Sequence, residues 1–184
     1  IAQQLGDKSG EATTLVNLGA VHLELAQYQR ALEYFQQALV IQREIGDKNG
    51  VAFSINNLAL VYQDLGEYQH AYTAFQDGVN FFKALGSSKI WRALTGLAFN
   101  EAKLNQSDAA ITHYEQALDH IEKLRAGLVA KEHKLSFMQD KLYVYDDLIS
   151  LLQTLHEQYP NQGYDRKALE VFERKQGRIF LEEM

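Results

Sequence analysis

The chain has 184 residues, of which 46% are hydrophobic, with a formal net charge of -6, one Pro and no Cys. That size and apolar content suffice for a buried core and exclude a disordered tail, and the missing Cys excludes disulfides, thiolate metal sites and a cysteine nucleophile. The acidic balance argues against general affinity for nucleic acid or anionic membrane, both of which reward clustered Lys and Arg, and leaves a protein partner as the better fit.

A single Pro among abundant Ala, Leu, Gln, Glu and Lys favours long helices over a sandwich or barrel. The fold class expected is all-α. No apolar stretch approaches the roughly 20 residues needed to span a bilayer, and no charged-then-apolar leader opens the chain, so a soluble, cytoplasmic protein is expected.

Sliding the sequence by 40 residues lays LGDKSGEATTLVNLGAVHLELAQYQRALEYFQQAL from Leu5 onto IGDKNGVAFSINNLALVYQDLGEYQHAYTAFQDGV from Ile45. Residues 1–5 then align with Ile41 to Ile45, so the chain is expected to open in the last turn of a second helix. Residues 1–6 would be the remnant of a preceding repeat. Repeats follow at about 12–45, 52–85 and 91–124, the third running one residue short, with Leu97 and Ala98 in the places of Leu58 and Ala59. A fixed period in this range is the signature of stacked units, none of which buries its apolar face alone.

Within the first unit Leu15, Leu18, Val21 and Leu25 recur at helical spacing, as do Ala31, Leu32, Phe35, Ala38 and Leu39, giving two helices per repeat. Small residues at Gly19, Ala59 and Ala98 face Ala31, Ala71 and Ala110, beside a ring at Phe35, Phe75 or Tyr114. Gly6, Gly46 and Gly86 follow the last apolar residue of each second helix and are expected to close it in a left-handed conformation.

After Leu124 the period is lost. Residues 127–158 read as one long helix with apolar positions Leu128, Leu135, Met138, Leu142, Tyr145, Leu148, Leu152 and Leu155. A turn at Tyr159-Pro160-Asn161-Gln162-Gly163 leads into a helix from about Tyr164. Residues 127–184 thus form a divergent long helix pair, and 1–184 is expected to be one solenoid domain.

Leu18-Gly19, His22 or Tyr62, Tyr28 or Tyr68, Ala31 or Ala71, Phe35 or Phe75, and Ala38 fall where the tetratricopeptide pattern asks for them, so the chain resembles that family. The resemblance implies a right-handed α-α superhelix of antiparallel helix pairs. Arg43 and Lys83 replace the usual Pro near the end of the second helix, which lets the helix run on and lengthens the period from 34 to about 40. In this the chain resembles the long-repeat subclass found in kinesin light chains and spindle-orientation adaptors. The run YDRKALEVFERKQGRIFLEEM resembles the segment that precedes the caspase-like domain of bacterial CHAT proteins, through Ala168, Leu169, Glu173, Arg174, Arg178, Phe180 and Leu181. That resemblance implies a catalytic His and Cys beyond Met184 and a sensor or adaptor role for the present chain.

No catalytic, cofactor-binding or metal-ligating residue is assigned. The histidines, His22, His70, His113, His120, His133 and His156, show no i, i+4 pair flanked by Glu, and the seven-residue spacing of His113 and His120 lacks a third ligand. Phosphate loops, nucleophile elbows and dinucleotide fingerprints are missing. A hydrolase hidden in the chain would have to depend on His113 or His120. The acidic pairs Asp146-Asp147 and Glu182-Glu183 read as solvated charge. Arg166, Lys167, Arg174, Lys175 and Arg178 read as a salt-bridged face with Glu170 and Glu173.

In a solenoid of this kind exposed first-helix positions line the binding surface. By frame these are Thr13, Val16, Asn17, Ala20 and Leu23, then Phe53, Asn56, Asn57, Leu60 and Gln63, then Arg92, Thr95, Gly96, Phe99 and Ala102, with Lys103 close by. Val16, Asn17, Phe53, Asn56, Asn57, Leu60, Gln63, Thr95, Phe99 and Lys103 are the candidate contacts. The mid-helix Asn side chains are able to bond an extended peptide's backbone, or else bond between helices or to water. A Lys and Arg clamp for a terminal carboxylate is incomplete, since Thr13, Val16 and Phe53 stand in its place. Phe53, Leu60 and Phe99 favour an apolar or helical segment, from another protein or a downstream domain. The expected function is a non-catalytic protein-protein interaction module, with a self-associating scaffold as the alternative.

Overall fold

The computed structural model describes the backbone of residues 2–183 and the side chains of all but 1–6, 131, 132, 135 and 179–184. Its helices are α1 (Ala2–Glu24), α2 (Tyr28–Glu44), α3 (Lys48–Asp64), α4 (Tyr68–Ala84), α5 (Ile90–Lys103), α6 (Ser107–Ala126), α7 (Lys131–Gln139), α8 (Leu142–Gln158) and α9 (Tyr164–Glu183). No strand occurs among the described residues, as the composition led one to expect. Packing divides the chain into two compact units, Ile1–Asn100 and Glu101–Met184.

In the first unit α1 packs on α2, α2 on α3 and α3 on α4. Ala31, Leu32 and Phe35 of α2 form one buried cluster with Leu58 and Val61 of α3, and Val16, Ala20 and Leu23 of α1 pack against it. The next period repeats the arrangement with Ala59, Ala71, Phe75 and Leu97. Small residues are required where backbones meet rings: a Cβ on Gly19 would fall 2.6 Å from the Phe35 ring. Beside the clusters, Ser54 Oγ donates to Gln42 Oε1 at 2.7 Å, a buried bond that ties α3 to α2.

Turn chemistry explains the punctuation. Gly46 and Gly86 adopt φ of +72° and +58°. At the first, Gly46 N–H reaches Arg43 O and Asp47 N–H reaches Gln42 O at 2.8 Å, closing α2. Asp47 then caps α3 by accepting from Gly50 N–H at 2.9 Å. Gly6 behaves differently from the expectation, because α1 runs through it without a break. Residues 2–5 and Gly6 belong to the same helical run as the residues that follow, so no helix ends at Gly6.

The turn inside each repeat also needs a left-handed residue, and there the chain uses Ala26 (φ 54°), Gly66 (φ 76°) and Asn105 (φ 60°) in equivalent places. Only one of the three is the residue type that meets this conformation without a Cβ penalty.

In the second unit Tyr114, Leu118, Ile121, Val144, Tyr145, Leu148 and Leu152 are buried, and α8 packs on both α6 and α9. The single long helix expected over 127–158 is in fact two, α7 and α8. Lys141 N–H turns to Met138 O at 2.8 Å, and its ammonium takes Phe137 O at 2.7 Å, the carbonyl that a continuing helix would have paired with Lys141 N–H. The helix therefore ends there without Gly or Pro. Leu135, on this stretch, lies outside the described side chains.

Four basic residues of α9 are salt-bridged to other helices, and none of these four pairs with Glu170 or Glu173 among the described residues. Lys167 meets Glu115 at 2.8 Å, Arg174 meets Asp119 at 3.1 Å and Arg178 meets Glu122 at 2.8 Å, all on α6. Lys175 meets Asp146 of α8 at 2.5 Å, so Asp146 is not simply solvated. Glu122 is the hub of this set, since it also accepts from Tyr145 Oη and from Arg125 Nε. Phe180, Leu181, Glu182 and Glu183 lie outside the described side chains.

Candidate protein-interaction surface

Half-buried side chains on the first helices of unit one make the available surface. Phe53 stands edge-on to Phe82 with ring centroids 5.6 Å apart, and the Lys89 ammonium sits 4.3 Å from the Phe53 ring centre. That geometry is a cation–π contact that also leaves a positive charge beside an apolar ring. Asn57 and Leu60 continue along α3, half-buried, with Leu60 packed against the Phe75 cluster. On α1, Asn17 is exposed while Val16 packs on the Phe35 cluster.

Two expected contacts are instead interior. Asn56 is 6% exposed and Thr95 5%. Gly96, placed on the same exposed face by frame, is also buried, because the Phe75 ring lies against it and a Cβ there would collide. This close approach of α4 turns that face of α5 inward, and Thr95 Oγ1 settles on Trp91 O at 2.9 Å. Asn56 Oδ1 has no hydrogen-bond partner among the described residues. Phe99 is half-buried and Lys103 exposed, each engaged with a neighbour.

Gln63 does not point free into the groove. Its Oε1 accepts from Asn100 Nδ2 at 2.9 Å, and the same amide donates to Gly96 O at 2.8 Å, which bridges α3 and α5. Asn100 escaped the sequence reading because it occupies the position of Val61, a core place where an amide gave no periodic signal. Lys89 was likewise missed, lying just before α5.

In unit two Glu101, 2% exposed, pairs with His113 Nδ1 at 2.7 Å. The repeat frame contained a clue. Glu101 stands where His22 stands in the first repeat, His113 where Tyr34 stands, and His22 and Tyr34 stack at 5.1 Å. One inter-helix contact is thus rebuilt from different chemistry. His120 is lowered from the usual imidazole range by burial and then by Lys123. Asp147 is raised from the usual carboxylate range by burial and then by Asp146. Among the described residues no group of three or more His, Asp or Glu gathers as for a metal ion, and no helix is long and apolar enough to cross a membrane.

The tetratricopeptide repeat family matches residues 10–84. No curated protein matches the chain in sequence. Among solved structures, BtubC (BKLC) from P. vanneervenii is similar over 92% of this chain and 63% of its own, with TM-score 0.73 and 18% identity. The chain therefore spans less than two thirds of that structure's length. The TPR domain of Arabidopsis FLU is similar over 63% of this chain and 98% of its own, with TM-score 0.60 and 20% identity. A Podosopora anserina putative kinesin light chain with nearly identical TPR-like repeats covers 90% of this chain and 93% of its own, with TM-score 0.54 and 17% identity. At such identities the likeness shows the fold alone. Residues 10–84 thus match the tetratricopeptide repeat, and the chain shares its fold of paired helices with these structures.

Proposed function

We propose that this chain is a non-catalytic protein-protein interaction module that holds an apolar or helical segment on the first-helix face of α1 and α3. The observation that carries the reading is Phe53, a ring left half-open between Phe82 and the Lys89 ammonium, with the amide of Asn57 one helical turn further on. An aromatic anchor beside a polar handle is the usual composition of an energetic hot spot. Val16, Asn17, Leu60 and Phe99 extend the surface. Asn56 and Thr95, being buried, act on it through packing. The 40-residue period supports placement in the long-repeat subclass.

The finer version of this reading takes the partner to be a CHAT-type protease-like domain, with this chain as its regulatory part. Its support is the α9 pattern of Ala168, Leu169, Glu173, Arg174 and Arg178. Arg174 and Arg178 are engaged by Asp119 and Glu122, so in this chain the pattern also serves to hold α9 on α6.

The test is selection of a random peptide library on the chain, followed by calorimetry of the enriched peptide. Phe53→Ala and Asn57→Ala should each weaken that peptide about tenfold or more. Unchanged affinity in both variants would remove this surface from the binding site. Titration with a cognate protease-like domain tests the finer version, and no heat of binding with the unmutated chain ends it.

A further inference from the structure

One dipeptide in unit one carries a reactivity that the local fold restrains. Among the asparagines of the sequence, Asn49 alone is followed by Gly. The side-chain carbonyl carbon of an Asn is open to attack by the backbone nitrogen of the next residue, and a Gly there has no Cβ to obstruct the approach. Asn49 is exposed, at the second position of α3. The Gly is also needed where it stands. A Cβ on Gly50 would run into Asp47 Oδ2 and fall 2.8 Å from Gln42 Nε2. Neither neighbour is free to give way, because Asp47 accepts from Gly50 N–H and Gln42 accepts the buried bond from Ser54. Tight packing between α2 and α3 therefore keeps a labile pair in the sequence.

What restrains the reaction is the prior engagement of the attacking nitrogen. Gly50 N–H donates to Asp47 Oδ1 at 2.9 Å, the bond that caps α3. Helical backbone at Asn49 also turns this nitrogen away from the side-chain carbon, so the first turn must open before the two atoms meet. Asp77-Gly78 supplies an internal comparison. It is able to close the same ring with loss of water, but Gly78 is buried well inside α4, where no frayed turn frees its nitrogen.

We propose that Asn49 is a site of spontaneous deamidation whose rate is set by the Asp47 cap. When the turn opens, Gly50 N gives its proton to solvent base and bonds to Asn49 Cγ. The Cγ–Nδ2 bond breaks, and the nitrogen leaves as ammonia with a proton returned by solvent. The five-membered imide then adds one water. Opening at Cγ gives an aspartate; opening at the backbone carbonyl carbon gives an isoaspartate, whose main chain runs through Cβ and Cγ. The two products act in opposite directions. An aspartate in the first turn places a carboxylate at the positive end of α3 and supports the helix. An isoaspartate lengthens the main chain by one carbon between Asp47 and Gly50, so the cap and the close approach to Gln42 are not both kept and α3 loosens from α2. The proposal uses neither Phe53 nor Asn57 and stands apart from the peptide-binding reading.

The test ages the purified chain at mildly alkaline pH, in buffer and in urea, and locates isoaspartate by enzymatic methyl labelling and peptide mapping. In urea the peptide holding Asn49 should convert fastest of all; in buffer it should convert slowly and still be the leading site, with Asp77 unlabelled. Asp47→Ala should raise the rate in buffer about fivefold, the gain in open turn that follows from losing a cap of ordinary strength, and leave the rate in urea unchanged. Asp47→Ser keeps an acceptor for Gly50 N–H and should hold the slow rate. Asn49→Gln should remove the label. Circular dichroism establishes that each variant is folded, and the labelled fraction should unfold at lower urea than fresh chain. Equal rates in buffer and urea, a folded Asp47→Ala chain that converts no faster, or isoaspartate arising first at another residue would overturn the proposal.

Discussion

Removing the Glu122 carboxylate should cost far more than removing an ordinary surface charge. Its side chain is 13% exposed, and those of Arg125 and Arg178 that bind it are 16% and 28% exposed. Tyr145, wholly buried, donates to it as well. Breaking a buried ion pair by deleting one partner costs about 3–5 kcal/mol, because the other charge is left without compensation. Arg178 retains some access to water, which places Glu122→Ala near the low edge, at about 3 kcal/mol. Glu122→Gln keeps an acceptor but no charge, so about 1–2 kcal/mol is expected from the weakened charge-assisted bonds.

The pH dependence supplies the sharper check. Burial alone would raise the Glu122 pKa, but the hydrogen bonds from Tyr145 and Arg178, the Arg178 charge and the Arg125 bond outweigh it and hold the carboxyl below its ordinary range. A group depressed in the folded state contributes stability that is present above its unfolded pKa, about 4.3, and is lost as pH falls through the folded value. Urea denaturation followed by circular dichroism should therefore show the full Gln penalty at neutral pH and a shrinking one below about pH 4. As a control, Lys8→Ala breaks the exposed pair with Glu44 and should leave the midpoint unchanged. A Glu122→Ala loss under about 1 kcal/mol, the scale of exposed pairs, would refute the hub.

Three further outcomes follow from the geometry. Asp147 has the opposite sign to Glu122: its pKa is raised by burial and then by Asp146, so the folded state is favoured while it is protonated and loses stability as pH rises through the raised value. Asp147→Asn should accordingly raise the urea midpoint at neutral pH and do nothing at acid pH, and an equal effect at both would contradict the assignment. Ala26 holds a φ of 54° where the next repeat has Gly66, so Ala26→Gly should stabilise by about 1 kcal/mol in thermal melts, and a neutral or negative effect would argue against strain there. Gly19→Ala should destabilise by about 1–3 kcal/mol through overpacking on Phe35, despite the better helix propensity of Ala; a gain in stability would show that the ring yields.

Much of this architecture was open to inspection before any coordinates. The spacing of Leu15, Leu18 and Val21 and of Ala31, Phe35 and Ala38 reports helices because amphipathic periodicity is local, and the 40-residue register reports pairing because each repeat must bury the same stripe. Gly46 and Gly86 announced helix ends through their own φ preference. Local rules failed where a distant neighbour or a competing side chain decided the outcome. The break before α8 comes from a lysine capping a carbonyl, which no Gly or Pro announces.

The candidate surface shows the same division at the level of single residues. Frame alone placed Asn56, Asn57, Thr95 and Gly96 on one open face, since helical position states direction but not what stands opposite. Packing separated them. The Phe75 ring against Gly96 sends that side of α5 inward, while Asn57 and Phe53 keep part of their surface. The α9 cations were legible as paired charges, yet their partners on α6 and α8 lie up to 56 residues away in sequence and only the folded chain brings them within reach. Periodicity determined which stripes must be buried; the tertiary structure decided what buries them, because burial and pairing depend on neighbours that no local window contains.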